Sequence, residues 1–234
     1  MSGLTLLAGL AFWACQPKEQ PSGDGQRGQS PRPVPGQSAR MPATFFPERL
    51  ARMGPQTCVE CHSDIHADWA KSHHAHANRP VDSIKDDRAF TPSRELLDGG
   101  VTTTLSKQAG EFVIKVNEAD GSITNETLTG VIAYDPLIQY LAPQENGAYQ
   151  TTSVAYDPAK NEWFEVFSGE DRLPGEWGHW MGQGMNWNAN CAACHMTDYD
   201  KNFDWRTGEY DSTWLQQGIS CAQCHNGLVE HLRD

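Results

Sequence analysis

The hydrophobic rhythm of the chain changes several times along its length. Residues 4–14, LTLLAGLAFWA, are continuously apolar or small and stop at Cys15. A run this short cannot cross a bilayer and suits the core of an export signal. From 16 to 42 periodicity vanishes. Six Pro, four Gly, five Gln and three Ser fill 18 of these 27 positions, which predicts a disordered or extended tether. Over 45–77, Cys58, Cys61, His62, Ile65, Trp69 and Ser72 recur at three- and four-residue steps, predicting a helical stretch closed by Pro80. Between 101 and 167 the pattern turns to strands: VTTTL, EFVIKV, SITNETLTGVIAY and EWFEVF alternate or are β-branched and aromatic. Turn residues divide them at 108–110, 120–121 and 157–161. Beyond Pro174, Trp, Gly, Asn and Cys crowd together without period, predicting short helices and loops. The expected fold class is mixed α/β with low regular content: helical segments plus a small antiparallel β-rich insert at about 100–168, within one domain spanning 43–234.

Charge narrows the function classes. The net charge is −12 over 234 residues. The tether is slightly basic, with Lys18, Arg27, Arg32 and Arg40 against Glu19 and Asp24, so the remainder carries −14. That argues against a general nucleic-acid binder, which needs clustered cations to displace phosphate counterions. It favours docking to a partner protein with a basic patch. Hydrophobic residues make up only 38% of the chain, which is low for a domain that fills its core with side chains alone.

The chemistry lies in the cysteines. Six of seven form three pairs, each followed by histidine: Cys58-Val-Glu-Cys61-His62, Cys191-Ala-Ala-Cys194-His195 and Cys221-Ala-Gln-Cys224-His225. C-x-x-C-H is the attachment signature of c-type haem. Two thiols three residues apart share one face of a helical turn and can reach the two vinyl groups of one porphyrin, and the next residue offers an imidazole to the iron. With nine histidines in the chain, three such coincidences have a chance on the order of 6 × 10⁻⁵. Zinc fits worse: 26 residues separate Cys194 from Cys221, beyond ribbon spacing, and zinc gives no reason for a histidine after every pair. A dithiol redox enzyme needs one pair on a βαβ scaffold, not three. The reading is three covalent haems, with helical haem-binding segments packed around them. Cys58, Cys61, Cys191, Cys194, Cys221 and Cys224 are the thioether anchors, and His62, His195 and His225 the proximal iron ligands. Attachment of this kind takes place outside the bacterial cytoplasm, which agrees with the signal.

The sixth iron position decides between electron transfer and catalysis. The remaining histidines are His66, His73, His74, His76, His179 and His231. They fall into three candidate distal groups: the cluster, with His74 favoured over His73 and His76; His179; and His231. His66, one turn after His62, is expected near a propionate or solvent. An unbroken helix would hold His62 and His74 about 18 Å apart, so the cluster serves another haem or the helix breaks. Met181, Met185 and Met196 are rival ligands. The second and third motifs start 30 residues apart, so their haems are expected to be neighbours. The dense tryptophans are expected against haem faces.

Several segments resemble bacterial multihaem cytochromes c: CVECHSDIHADWAKSHHAHA, DPLIQYL, HWMGQGMNWNANCAACHMTDYDKNFD and GISCAQCHNGLVEH. The group is that related to the tetrahaem cytochrome of ammonia oxidisers, including multihaem cytochromes fused to tetratricopeptide repeats. The resemblance runs from Gln56 to His231. It implies an electron-transfer module, periplasmic or surface-exposed, with closely packed haems, and it implies His74 as the ligand within the cluster. The family often has Gly-Pro-Gly after the third motif, where this chain has Asn226-Gly227-Leu228. Ala14-Cys15 resembles a bacterial lipoprotein signal, with Cys15 lipidated, although no Lys or Arg precedes the apolar run and Phe12 stands where Leu is usual. The expectation is a membrane-tethered electron carrier with three haem c, anchored at the outer side of the membrane. The alternative is a reductase or oxidase with one open haem iron acting on a small nitrogen or sulfur compound.

Overall fold

The computed structural model describes residues 54–225 and residue 231. The expected signal, Cys15 and the expected tether lie outside them. Strands dominate. A 3₁₀ turn, Pro55–Cys58, precedes α1 (Ser63–Trp69), β1 (Asn78–Pro80) and α2 (Asp87–Phe90). Then come β2 (Arg94–Asp98), β3 (Val101–Gln108), β4 (Glu111–Asn117), β5 (Ile123–Leu128), β6 (Gly130–Ile132), β7 (Gln139–Pro143), β8 (Tyr149–Thr151), β9 (Val154–Asp157) and β10 (Glu162–Glu165). After a long irregular stretch come α3 (Trp187–Asn190), α4 (Ala192–His195), β11 (Met196–Thr197), β12 (Phe203–Asp204), β13 (Glu209–Tyr210), β14 (Gln216–Gln217) and α5 (Cys221–Cys224).

This corrects the expected fold class. Among the described residues 35% are strand and 18% helix, and no helix exceeds the seven residues of α1. The strands are not an insert in a helical frame. They form the body, and the helical pieces, none longer than about two turns, are attached to it. The continuous helix expected over 45–77 is, within the described residues, one 3₁₀ turn and α1. Pro80 does not close a helix: it ends β1, the edge strand of its sheet, where a residue without an N–H costs no ladder bond.

The body is built from two four-stranded antiparallel sheets, in the orders β2-β3-β4-β5 and β1-β6-β7-β8. The alternation in Glu111–Asn117 explains β4: Phe112, Ile114 and Val116 are buried while Glu111 and Lys115 face out. Ala109 and Gly110 both have positive φ (49° and 91°), the geometry of a tight hairpin turn matched to strand twist. Both sheets contribute to one core: Leu105, Phe112, Ile114 and Val116 meet Val131, Tyr140, Val154, Trp163 and Trp180. Phe90 sits among Phe112, Tyr140 and Trp163 at centroid distances of 4.5, 5.0 and 5.4 Å. The indole Nε1 of Trp163 donates to Ala89 O at 2.7 Å, so the largest ring leaves no polar atom unpaired. The body thus has an apolar core of its own, although composition pointed to haem as the missing bulk. A second, smaller cluster of Ile132, Leu141, Trp187, Ala192 and Met196 joins the body to the turns that carry the motifs.

Candidate functional site

The three motifs lie on single helical turns. The second occupies α4 and the residue before it; the third occupies α5 and His225. In each, the chain closes on itself across the pair: Cys194 N–H donates to Cys191 O at 3.0 Å, and the amides of His62 and His225 donate to Cys58 O and Cys221 O, both at 2.9 Å. Cys61, Cys194 and Cys224 are exposed, and Cys58, Cys191 and Cys221 half-buried. None of the six is in a disulfide, which leaves all six available for thioether formation. Burial pushes the Cys191 thiol above its ordinary pKa, as it does Cys58, where the neighbouring Cys221 thiol adds to the effect.

Contact between Cys58 and Cys221 brings the first and third motifs together. Sequence spacing had paired the second and third. A short backbone hub joins all three motif regions. Ile219 N–H donates to His74 O at 2.8 Å, and Trp69 Nε1 donates to Ile219 O at the same distance. Trp69, Ser72 and His74, spaced W-x-x-S-x-H, therefore form a clamp: Trp69 and His74 hold the C=O and the N–H of one residue, Ile219, two residues before Cys221. Ser72 makes the bend between them. Its hydroxyl donates to Trp69 O at 2.7 Å, and Ala75 N–H donates to it at 3.4 Å. Gly218 donates to His195 O at 3.1 Å. Its φ of +79° and the Ala75 carbonyl oxygen, which would lie 2.7 Å from an added Cβ, leave room only for glycine. Thr197 Oγ1 donates to Gly218 O at 2.7 Å and accepts from Ser220 N–H at 2.8 Å. Gly218, Ile219 and Thr197 were not singled out by sequence reasoning, because their work is done through the backbone or a single hydroxyl.

The residues before the second motif, Asn186-Trp187-Asn188, also resolve into bonds. Asn186 caps α3 by accepting from Ala189 N–H at 2.9 Å. Trp187 Nε1 donates to Asn78 Oδ1 at 3.1 Å. Asn188 accepts from Tyr149 N–H at 2.7 Å and donates to Ser212 Oγ at 2.9 Å. The second motif is thereby pinned to the sheet at β1 and β8.

The proximal histidines differ in how they are held. His195 Nδ1 lies 2.8 Å from Ala77 O. A carbonyl only accepts, so Nδ1 carries the proton and Nε2 keeps its lone pair for a metal. His62 is the residue before α1 and is exposed. Its ring faces that of His231, with centroids 5.9 Å apart and planes 20° from parallel. His225 is exposed at the end of α5.

The other histidines separate. His76 stacks on Tyr134 at 4.4 Å, and His73 meets the same ring edge-on at 6.0 Å; His74 is exposed. His66 lies 5.2 Å from Trp69, with its Nε2 buried and unpaired. His179 is 5% exposed and lies in the body. Its Nε2 is 2.9 Å from Glu118 Oε1, and its Nδ1 accepts from Met181 N–H at 3.2 Å. Both ring nitrogens are engaged within the protein. Of the methionines, Met196 is fully buried in the smaller core. The tryptophans divide too. Trp163, Trp180 and Trp187 pack among side chains, while Trp177 and Trp205 are 71% and 75% exposed.

The donor chemistry fits covalent haem: paired thiols on one turn, each followed by an imidazole, one of which is already in the ligating tautomer. Comparison with known proteins agrees. Neither curated proteins nor solved structures give a match. The family described as Cytochrome c554 and c-prime matches residues 57–111 and 178–226. The matched blocks contain all three C-x-x-C-H motifs and strands β1–β3, and skip β5–β10. Although they span less than half of the chain, they make it similar to the c-type cytochromes and support haem c as its cofactor.

Proposed function

We propose that the protein is an electron carrier holding three haem c, one on each C-x-x-C-H motif, with His62, His195 and His225 as proximal ligands. The observation that carries this reading is the set of three C-x-x-C-H turns, each with an imidazole beside its two thiols, with a further histidine, His231, close to His62. An iron closed on both sides by imidazole exchanges electrons without binding substrate, at a lower potential than His/Met ligation gives. His231 then belongs to the haem of the first motif, and His74 is the ligand offered by the cluster. The haems supply the Fe(III)/Fe(II) couple. The chain supplies the thiols and imidazoles, fixes the His195 tautomer through Ala77, and sets the charge around them. The folded part, at −14, docks to a redox partner through that partner's basic patch. Cys15 as a lipid anchor and 16–42 as tether hold this part at the outer side of a membrane, in the periplasm or at the cell surface. The multiple acyl chains of a lipoprotein would suffice for this; among the described residues no helix is long and apolar enough to cross a membrane.

A second reading has one observation in its favour. His179 is engaged by Glu118 and Met181, which leaves two distal groups, the cluster and His231, for three irons. One iron is then open, or closed by methionine, and an open iron allows reduction or oxidation of a small nitrogen or sulfur compound. Spectra separate the two. The carrier gives only low-spin signals in electron paramagnetic resonance and no optical shift with carbon monoxide. A high-spin component that binds carbon monoxide replaces it with the enzyme reading. A pyridine haemochrome assay giving fewer than three haems per chain overturns both.

A further inference from the structure

Away from the motifs, the structure holds a cationic cavity in an acidic protein. It has a volume of about 330 Å³ and lies where the end of the histidine cluster meets β1 and α2. Arg79, Lys85 and Arg88 line it, three of the fourteen Lys and Arg in the folded part. His76 and Tyr134, stacked on each other, also line it.

The carboxylate in its wall does not neutralise it. Asp86 is 2% exposed and saturated with donors. It takes both arms of Arg79 at 2.7 Å, the Tyr140 hydroxyl at 3.0 Å and Asp82 N–H at 2.7 Å. The neighbouring carboxylates are turned elsewhere. Asp82 accepts the backbone N–H groups of Ile84 and Lys85 at 2.9 and 3.0 Å, and Asp87 pairs with Lys107. Lys85 and Arg88 have no ion-pair partner among the described residues. The wall thus carries three cations against one anion, an excess of two positive charges. Arginine presents a planar fork of donors suited to oxyanions, and lysine adds a point charge.

We infer that this cavity is a binding site for a dianionic oxyanion of the phosphate or sulfate class, held by Arg88 and Lys85 with Arg79 fixed behind them by Asp86. Such a ion matches the charge excess, and the cavity has room for it together with ordered water. The site does not depend on the haem reading.

The test is calorimetric titration of the full-length holoprotein with inorganic phosphate, and separately sulfate, at constant ionic strength in chloride. Haem content is measured on the same sample, so that the two readings fail separately. The expected result is saturable one-site binding with a Kd below about 1 mM. K85Q and R88Q each weaken it at least tenfold, and K115Q, the same charge change on an exposed strand position, leaves it unchanged. Lys85 is exposed, so K85Q retains the fold, which circular dichroism verifies. Absence of saturable heat overturns the proposal. So does equal weakening by K115Q, which would mean general charge screening. Saturable binding of phosphate but not sulfate keeps the site and narrows its class.

Discussion

The body of two sheets and the hub beneath the motifs are held together in opposite ways. In the body, large rings and branched side chains interlock: Phe90, Tyr140 and Trp163 touch one another and are nearly or fully buried. In the hub the buried side chains are small and polar, Thr197 and Ser220, rather than apolar. Helix α1 buries no residue, and Ile65 within it is 67% exposed. What holds the hub is a set of backbone bonds converging on Gly218, Ile219 and Ala77. The body therefore draws on apolar burial, which is non-directional and scales with area. The hub draws on directional bonds worth about 1 kcal/mol each, plus the thioethers that haem would add. The difference teaches where stability and the proposed redox chemistry reside: the first is a property of the strands, the second is assigned to turns clamped onto them.

Cutting into the body should have the largest effect. Trp163→Ala removes a buried ring and its bond to Ala89, and a loss of about 3–5 kcal/mol is expected. Denaturant unfolding measures it, and a loss under about 1 kcal/mol would show that the core does not carry the fold.

The hub should fail differently. Gly218→Ala puts a Cβ against the Ala75 carbonyl at a positive φ, at an expected cost of about 1–3 kcal/mol. Hydrogen exchange should speed up at Ile219 and Ser220 while amides of β3 and β4 keep their protection. Equal loosening of both regions would erase the distinction between them.

Asn186→Ala probes the joint between the regions. It removes the cap of α3, an expected loss of about 1 kcal/mol, and should lower haem occupancy at the second motif more than at the first. Mass spectrometry of the haem peptides reads this directly.

The smallest effect belongs to Glu165, in the body. Burial raises its carboxyl above the ordinary value, against the lowering influence of Phe167 N–H and the Ser153 hydroxyl. The native state keeps this proton where the unfolded chain has lost it. Stability should therefore fall as pH rises from the ordinary carboxylate value through the raised one, and level off above. Glu165→Gln should flatten that slope in thermal melts across the same window; an unchanged slope assigns it to other groups.

The body was largely legible in the sequence. Period-two alternation gave β4, and turn residues such as Gly110 and Asn161 marked the chain reversals, because strands with one buried face leave that signature. The helix expected over 45–77 had a different origin. Its three- and four-residue steps were made by Cys58, Cys61, His62 and Ser72, residues spaced for haem chemistry and turn bonds rather than for an apolar face. Ligand spacing thus imitated helical periodicity. The motifs were legible because C-x-x-C-H is specific. The hub was not, since bonds such as Ile219 N–H to His74 O leave no side-chain mark and join residues far apart in sequence. Nor could His179 show from sequence alone that Glu118, 61 positions away, would occupy its ring.

The carbonyl of Ala77 accepts from both Ala133 N–H and the His195 ring, and this has a consequence for inheritance. Every amino acid placed at 77 brings the same carbonyl, so changing that side chain does not delete the group that orients His195. Alanine scanning would pass over it, and genetic drift can alter residue 77 without removing the acceptor. The imidazole is tuned by a part of the chain that the genetic code does not vary.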